Sequence, residues 1–301
     1  MRTTTAVHAT TAPIAMLGGV YGNVPALRAV LDDAARAGAG LVAFLGDATG
    51  CCGHSDETLG ILRAACGVAL AGNHDQEAAQ GSLVCGCGYR DSGDEKWSCV
   101  AHEYAMHTLS EDHRSWMAEL PDRIRLETPA GRLLLFHGSP DRTNEFLYES
   151  ELDDGRLAGW LDEHGAVGLA GTHTGLPWIR SLPGGRFAVN AGVVGRPDHD
   201  GDPAIHYALL SLVNGRWIPE IRRVTYDHRA WAMQLAREGV DPIFTRPILS
   251  GVWTTGVASL PAEERRRSEQ ARARVFEAAA AAARARWEQE EAAGGTRRPA
   301  G

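Results

Sequence analysis

Polar residues with metal-binding side chains follow four short apolar segments of this 301-residue chain. Two imidazoles, one carboxylate and one amide oxygen form a mixed nitrogen and oxygen set, which suits a divalent transition metal such as Mn, Fe, Zn or Co. Each feature alone is weak, because strand-ending Gly-Asp pairs are common and a single histidine after an apolar segment is more often structural. Their repetition in order predicts a metal site formed by Asp47 (after LVAFLG), Asn73 (after VALAG), His137 (after LLLF) and His173 (after VGLAGT).

Short apolar segments alternate with amphipathic helical patterns, which is typical of an α/β fold. Ligands of open α/β sheets collect at the carboxyl ends of the strands, so the four polar residues should converge. Strands in the second half, with Pro-Gly-Gly and Asn-Gly turns between them, are expected to be antiparallel. The predicted strands are Ile14–Leu17, Leu41–Leu45, Gly67–Ala71, Leu133–Phe136, Val167–Ala170, Arg186–Val189, His206–Val213 and Trp217–Thr225.

Turn and capping residues suggest how the rest of the chain is organised. Asn23 and Ser55 are predicted to cap two helices, and Gly81–Ser98 is predicted to be an irregular, lid-like insertion. The C-terminal segment is charged and rich in Ala, and we expect an exposed helix that is a candidate oligomer contact. The expected divisions are a disordered N-terminus (1–12), one domain (13–260), and the charged helix with a flexible tail (261–301).

Charge and composition exclude several classes of protein. A formal net charge of −8 argues against a nucleic-acid partner, because phosphate backbones attract basic surfaces. A small phosphorylated ligand remains compatible, since a bound cation inverts the local field. No apolar segment is long enough to cross a membrane, and the N-terminus lacks the apolar core of a signal peptide. We therefore expect a cytoplasmic protein whose six cysteines are thiols.

The order of these motifs resembles the calcineurin-like metallophosphoesterase superfamily, especially its small bacterial phosphodiesterase-like branch. That family has Asp-x-His-Gly-Asn, Gly-Asp, Gly-Asn-His-Asp, a strand-ending His and Gly-His-x-His, and the similarity runs from Ile14 to Thr225. The segment NAGVVGRPDHDGDPAIHYALL (190–210) also looks like that branch. The resemblance implies a four-layer αββα sandwich with mixed sheets, and metal-dependent hydrolysis of a small phosphoester by a phosphatase or phosphodiesterase.

The resemblance also implies a role for each matching residue. His74 would protonate the leaving group or steady the phosphoryl charge, with Asp75 orienting it. No residue is indicated for binding the rest of the substrate. The second metal of the family's pair would be held by Asp47, which bridges both metals, and by Asn73, His137 and His173.

Departures from the family pattern fall on the first metal alone. LGGVYGN has Gly19 and Tyr21 in place of the first Asp and His, and THTGLPWIR, aligned without a gap, has Gly175 in place of the last His. We therefore expect one ion per chain, with Tyr21 available to donate a hydrogen bond to the substrate. An alignment with a gap would instead make His173 the last His.

Cysteines near these motifs suggest two further ways in which the chain could bind a metal. Soft thiolates suit zinc or iron, so they would offer replacement ligands for the first metal or a separate structural zinc site. The spacing is unlike common zinc motifs, and thiols without a metal are the favoured interpretation. The candidate replacement ligands are Cys51, Cys52, His54, Cys85 and Cys87, and the candidate zinc ligands are Cys85, Cys87, Cys99 and His102.

Two other functions are compatible with the same residues. A degenerate binding or regulatory protein would keep the fold without hydrolytic activity, and the missing first-metal ligands favour it. Two histidines and one carboxylate also suit non-haem iron chemistry, but Asn73 and the Gly-Asn-His-Asp motif argue against that reaction. Metal-dependent phosphoester hydrolysis is the leading interpretation.

Overall fold

The computed structural model describes residues 1–50 and 53–293. Two mixed β-sheets stack face to face, and helices cover both outer faces. This arrangement is a four-layer αββα sandwich, so the fold expected from the sequence is confirmed.

Strands and helices alternate over much of the chain. The strands are β1 (Thr3–Val7), β2 (Ile14–Leu17), β3 (Leu41–Phe44), β4 (Val68–Ala69), β5 (Arg123–Glu127), β6 (Arg132–Phe136), β7 (Ala166–Gly171), β8 (Trp178–Leu182), β9 (Arg186–Asn190), β10 (Ile205–Val213) and β11 (Arg216–Val224). The helices are α1 (Val24–Arg36), α2 (Ser55–Ala65), α3 (Asn73–Ala79), α4 (Ser92–Met106), α5 (Glu111–Glu119), α6 (Asp154–His164), α7 (His228–Arg237), α8 (Pro242–Ser250) and α9 (Ala262–Ala293).

Each sheet combines three neighbouring parallel strands with strands that run antiparallel to them. One sheet has the order β11-β10-β2-β3-β4, in which β2, β3 and β4 are parallel and β10 is antiparallel to both neighbours. The other has the order β1-β5-β6-β7-β9-β8, in which β6, β7 and β9 are parallel. Antiparallel pairing of β10 with β11 and of β8 with β9 confirms the expectation for the second half of the chain.

Apolar side chains from the two sheets fill the space between them. Ile14 and Met16 of β2 belong to the same buried cluster as Leu133 and Leu135 of β6 and Val189 of β9. The intervening residues of these strands face the outer helices and are buried as well. Strands buried on both faces read as continuous apolar segments, which is why the sequence marks them clearly.

Most of the predicted elements are present. Each predicted strand is confirmed, although β4 is limited to Val68–Ala69. Asn23 caps α1, since its Oδ1 accepts a hydrogen bond from the Ala26 N–H at 3.3 Å. The predicted cap at Ser55 is wrong, because α2 begins at Ser55 itself and His54 holds the cap position without a side-chain bond.

The expected disorder of residues 1–12 is also wrong. Residues 3–7 form β1, which pairs in parallel with β5 at the edge of its sheet. The backbone N–H of Arg2 donates to the carboxylate of Asp122, which fastens the start of the chain. Most β1 side chains are exposed, so the strand carries no apolar pattern that the sequence could reveal.

The Gly81–Ser98 insertion is only partly irregular. Helix α4 begins at Ser92 behind the cap residue Asp91, whose carboxylate accepts two backbone N–H bonds. The carboxylate of Asp94 then accepts the N–H of Gly256 at 2.7 Å. The insertion is therefore fastened to a segment far along the chain.

The charged helix α9 is docked at its start and exposed farther along. Glu264 accepts the backbone N–H of Ser150 at 3.0 Å, and Ala271 is buried. Phe276 and Trp287 are exposed to 75% and 60%. A contact between copies through this helix remains a prediction. Although α9 is long, neither it nor any other described helix is apolar enough to cross a membrane.

Candidate metal centre

Loops that follow strands of both sheets bring polar side chains together. Asp47 lies just after β3, His137 directly after β6 and His173 just after β7. Their ligand atoms all lie within 4.8 Å of one another, and no larger group of this kind occurs among the described residues. Asn73 begins α3, shortly after β4. The structure thus brings Asp47, His137 and His173 together, as the sequence predicts.

The three side chains are buried and in contact. The Nε2 atom of His137 lies 3.2 Å from Oδ2 of Asp47 and 3.1 Å from Nδ1 of His173. On the other side of the ring, Nδ1 of His137 donates to the Leu45 carbonyl at 2.7 Å, because a carbonyl oxygen only accepts. This bond fixes the orientation of the ring, so Nε2 faces the centre. Burial would lower the pKa of His137, but the neighbouring Asp47 outweighs it, and the pKa is raised from its ordinary value.

Asn73 contributes a buried oxygen without a partner. Its Nδ2 donates to the carbonyl of Cys85 at 2.9 Å, which fixes the orientation of the amide. Its Oδ1 has no hydrogen-bond partner among the described residues. An orphaned buried amide oxygen is costly, and a cation beside it would remove that cost. One carboxylate, two imidazoles and this amide oxygen are the donor types that suit a divalent transition metal.

The electrostatics of Asp47 and His173 favour the protonation states that bind metals. Burial alone would raise the pKa of Asp47, but the neighbouring His137 and His74 outweigh it, and the pKa is lowered from its ordinary value. Burial and the nearby His137 lower the pKa of His173 to about 3. At neutral pH Asp47 is therefore ionised and His173 is neutral, and these are the forms that coordinate a cation.

The backbone at Asp47 and His173 adopts the left-handed region, with φ of 68° and 70°. Non-glycine residues rarely adopt this conformation, and those that do cluster at functional sites. The carboxylate of Asp75 stabilises the loop at Asp47, since it accepts the backbone N–H groups of Asp47 and Ala48 at 2.7 and 3.0 Å. Asp75 thus holds the strained loop that presents the Asp47 carboxylate.

The predicted pairing of Asp75 with the ring of His74 is not found. Both oxygens of Asp75 bond to backbone amides, and Nδ1 of His74 has no hydrogen-bond partner among the described residues. The ring of His74 is instead placed by Cys87, whose Sγ lies 3.1 Å from Nε2, and by the edge-on ring of His102. Burial lowers the pKa of His74 to about 4, so the imidazole is neutral at neutral pH.

Gly72 is packed against the Asp47 carboxylate. A β-carbon added at Gly72 would lie 2.1 Å from Oδ1 of Asp47, so a Gly72→Ala variant must displace that carboxylate or its loop. We expect Gly72→Ala to weaken metal binding at least tenfold and to destabilise the fold by about 1–3 kcal/mol. Metal titration and urea denaturation measure the two effects.

Gly159 offers a matched control, because it lies inside α6 and an added β-carbon would meet nothing within 4 Å. Gly159→Ala should leave metal binding unchanged and stabilise the protein by about 0.4–1 kcal/mol. Wild-type metal affinity in Gly72→Ala would show that the position of the Asp47 carboxylate does not matter for binding.

Aromatic side chains fill the corner in which the resemblance places the first metal. A β-carbon at Gly19 would lie 2.8 Å from the hydroxyl oxygen of Tyr21, so the tyrosine ring occupies the space of a side chain there. A β-carbon at Gly175 would lie 3.1 Å from the ring of Trp253. Aromatic rings thus occupy the space that a side chain at Gly19 or Gly175 would need.

Among the predicted replacement ligands that the structure describes, Cys87 lines the cavity beside Tyr21 and Asp47, whereas His54 does not. Cys51 and Cys52 lie outside the described residues. Nε2 of His54 bonds to Glu238 at 2.9 Å, and the ring packs on Trp231. His54 is therefore part of a surface ion pair, and the expectation that it could replace a first-metal ligand is wrong.

The predicted zinc set is only partly assembled. His102 contacts the Ser82 carbonyl through Nε2 at 3.0 Å, which turns it away from the cysteines. The residues near enough to share a cation are Cys85, Glu95 and Cys99. The cysteines in the described part of the chain are free thiols, as expected.

A cavity of about 60 Å³ adjoins the metal centre, which is room for several water molecules. Asp47, His74, Tyr21 and Arg196 line it, together with Tyr89 from the insertion. Sequence reasoning missed Arg196. It lies in the loop after β9, where polar residues of an α/β sheet also collect, so the signal that revealed the other residues was present here too.

A model of the calcineurin-like phosphoesterase family matches residues 7–208, which include Asp47, Asn73, His137 and His173. The chain belongs to this family. An uncharacterised protein of Methanocaldococcus jannaschii is 23% identical to this phosphoesterase-family chain over 232 residues, which cover 71% of this chain and 88% of the relative.

Two solved structures share the fold of this calcineurin-like family member. A metallophosphoesterase from Sphaerobacter thermophilus has a TM-score of 0.62 at 24% identity, covering 81% of this chain and 100% of that protein. A hypothetical protein from Pyrococcus horikoshii has a TM-score of 0.64 at 16% identity, covering 82% of this chain and 100% of that protein. At these identities the likeness concerns the fold alone.

Proposed function

We propose that this protein hydrolyses a small phosphoester with one divalent transition-metal ion. The observation that supports this most is the buried contact of Asp47, His137 and His173, and the buried Oδ1 of Asn73 without a partner adds to it. Membership of the calcineurin-like phosphoesterase family supports the same reaction class. The four side chains would be the ligands of the ion.

Several residues of the chain prepare the centre for the reaction. A bound divalent cation would supply a water molecule of lowered pKa and would polarise a phosphoryl oxygen. The Leu45 carbonyl holds the ring of His137, and the carboxylate of Asp75 holds the loop of Asp47. Ligands fixed in this way need little rearrangement when an ion binds.

His74 is the proton donor in this proposal. Its neutral imidazole lines the cavity beside Asp47. An anionic phosphoryl group in the cavity would favour the protonated ring, because a nearby opposite charge raises the pKa of a histidine. His74 would thus become an acid when substrate is bound and would pass its proton to the leaving oxygen.

Turnover by the purified protein tests the proposal. The protein is stripped with a chelator, reloaded separately with Mn²⁺, Zn²⁺, Co²⁺ or Fe²⁺, and assayed with an aryl phosphate and an aryl phosphodiester. We expect turnover with at least one metal and none after chelation. Absence of turnover with every metal would contradict the proposal.

A binding protein without hydrolytic activity is the second candidate. The packing of Tyr21 against Gly19 and of Trp253 against Gly175 favours it, since one half of the family's two-metal site is filled by side chains. Such a protein would still take up a metal through Asp47 and His137. Metal uptake without turnover in the assay described above would select this function.

A further inference from the structure

Arg196 is a half-buried cation that stacks on an aromatic ring. Its guanidinium carbon lies 3.7 Å from the centre of the Trp253 ring. Its Nε is buried without a hydrogen-bond partner, and it forms no ion pair within the described ranges. A half-buried guanidinium without a paired anion is unfavourable, so its position suggests that an anionic ligand binds to it.

Arg196 lies in the corner of the missing first metal. It lines the same cavity as Asp47, His74 and Tyr21. A β-carbon at Gly175 would lie 3.6 Å from its Nη2. A permanent positive charge therefore lies beside the candidate metal centre, where the resemblance would place the first metal.

The backbone around Arg196 is held in place. The N–H groups of Val194 and Gly195 both donate to the Gly19 carbonyl at 2.9 Å. Nδ2 of Asn23 donates to the Gly195 carbonyl at 3.0 Å. On the other side of the residue, Trp253 donates through Nε1 to the Pro197 carbonyl at 2.6 Å. Arg196 and the ring beneath it are thus fixed before any ligand binds.

We propose that Arg196 binds the phosphoryl oxygens of the substrate and supplies the positive charge that a first metal provides in two-metal relatives. This inference rests on the proposed phosphoester function. Arginine presents two parallel N–H donors to a phosphate, and an aromatic face beneath it fixes the plane of the guanidinium. Tyr21 lines the same cavity, and its hydroxyl would donate a hydrogen bond to the same group.

Binding of inorganic phosphate to the Mn²⁺-loaded protein tests the proposal by calorimetry. We expect Arg196→Gln to weaken phosphate binding by about tenfold or more, because hydrogen bonds to a charged group are lost. Arg196→Lys should bind phosphate more weakly than wild type and more tightly than Arg196→Gln, since it keeps the charge but not the paired donors. Mn²⁺ affinity and melting temperature should stay at wild-type values in both variants.

A matched control is Arg63→Gln, which removes an exposed arginine paired with Asp112 at 2.7 Å. This variant should bind phosphate like wild type. Wild-type phosphate affinity in Arg196→Gln would overturn the proposal. So would a joint loss of Mn²⁺ and phosphate binding, because Arg196 would then act by supporting the fold.

Turnover of the aryl phosphate separates this inference from the proposed function. If wild type turns over and Arg196→Gln keeps its kcat/KM, the role of Arg196 is wrong and the hydrolase stands. If wild type does not turn over but Arg196→Gln loses phosphate binding, the anion site stands and hydrolysis is wrong.

Discussion

Replacing His137 by alanine is expected to remove both the bound metal and the hydrolytic turnover. The substitution deletes the Nε2 atom that lies 3.2 Å from Asp47 and 3.1 Å from His173. With this nitrogen gone, the remaining ligands cannot hold the ion firmly. We expect turnover to fall by roughly a thousandfold or more, since activation of water and charge stabilisation both depend on the ion. Asp47→Ala should behave in the same way.

His107 provides the control for this prediction, because it is an exposed histidine at the end of α4. His107→Ala should keep the metal content and turnover of wild type. Metal analysis and turnover are measured on the same purified samples. Wild-type turnover in His137→Ala or Asp47→Ala would show that the metal ligands have been assigned wrongly.

Replacing His74 by glutamine should separate catalysis from metal binding. The side chain is assigned as proton donor, whereas its backbone N–H, which donates to Oδ1 of Asp47 at 3.1 Å, is unaffected by the change. We expect turnover to fall by roughly 10²–10⁴-fold, the usual contribution of general acid catalysis, with unchanged metal content.

The leaving group provides a further readout for His74→Gln. An aryl ester with a more acidic phenol needs less help from an acid, so its turnover should fall less than that of an ester with a poor leaving group. Loss of metal together with turnover would instead identify His74 as a ligand. An equal fall for both esters would contradict the assignment as proton donor.

The grouping of Asp47, His137 and His173 could be predicted, because the sequence shows both the side-chain types and their positions after strands. Asp47, His137 and His173 each follow an apolar strand, and strands that are buried on both faces are easy to recognise. Parallel strands then bring their carboxyl ends to a common edge. The same reasoning applied to the loop after β9 would have found Arg196.

Other features depend on contacts that the sequence does not display. Nothing in the local sequence indicates that Asp75 bonds to the backbone of Asp47 rather than to the ring of His74. Trp253 reaches the site from far along the chain, so its packing against Arg196 could not be predicted without the three-dimensional structure. Strand β1 is mostly exposed at a sheet edge, and its formation depends on pairing with β5.

Aromatic rings and a positive charge lie in the corner where the resemblance places the first metal. Where a carboxylate or imidazole would stand at Gly19 or Gly175, rings of Tyr21 and Trp253 fill the space. The charge of Arg196 lies beside them. This corner therefore combines packed aromatic rings and a permanent positive charge with the adjoining cavity.

The number of metal ions per chain tests the central claim most directly. The purified protein is loaded with Mn²⁺, dialysed against buffer without free metal, and measured by inductively coupled plasma mass spectrometry. We expect one ion per chain, held by Asp47, Asn73, His137 and His173. Two ions per chain would show that other ligands rebuild the first site, and none would show that the buried group does not bind a metal.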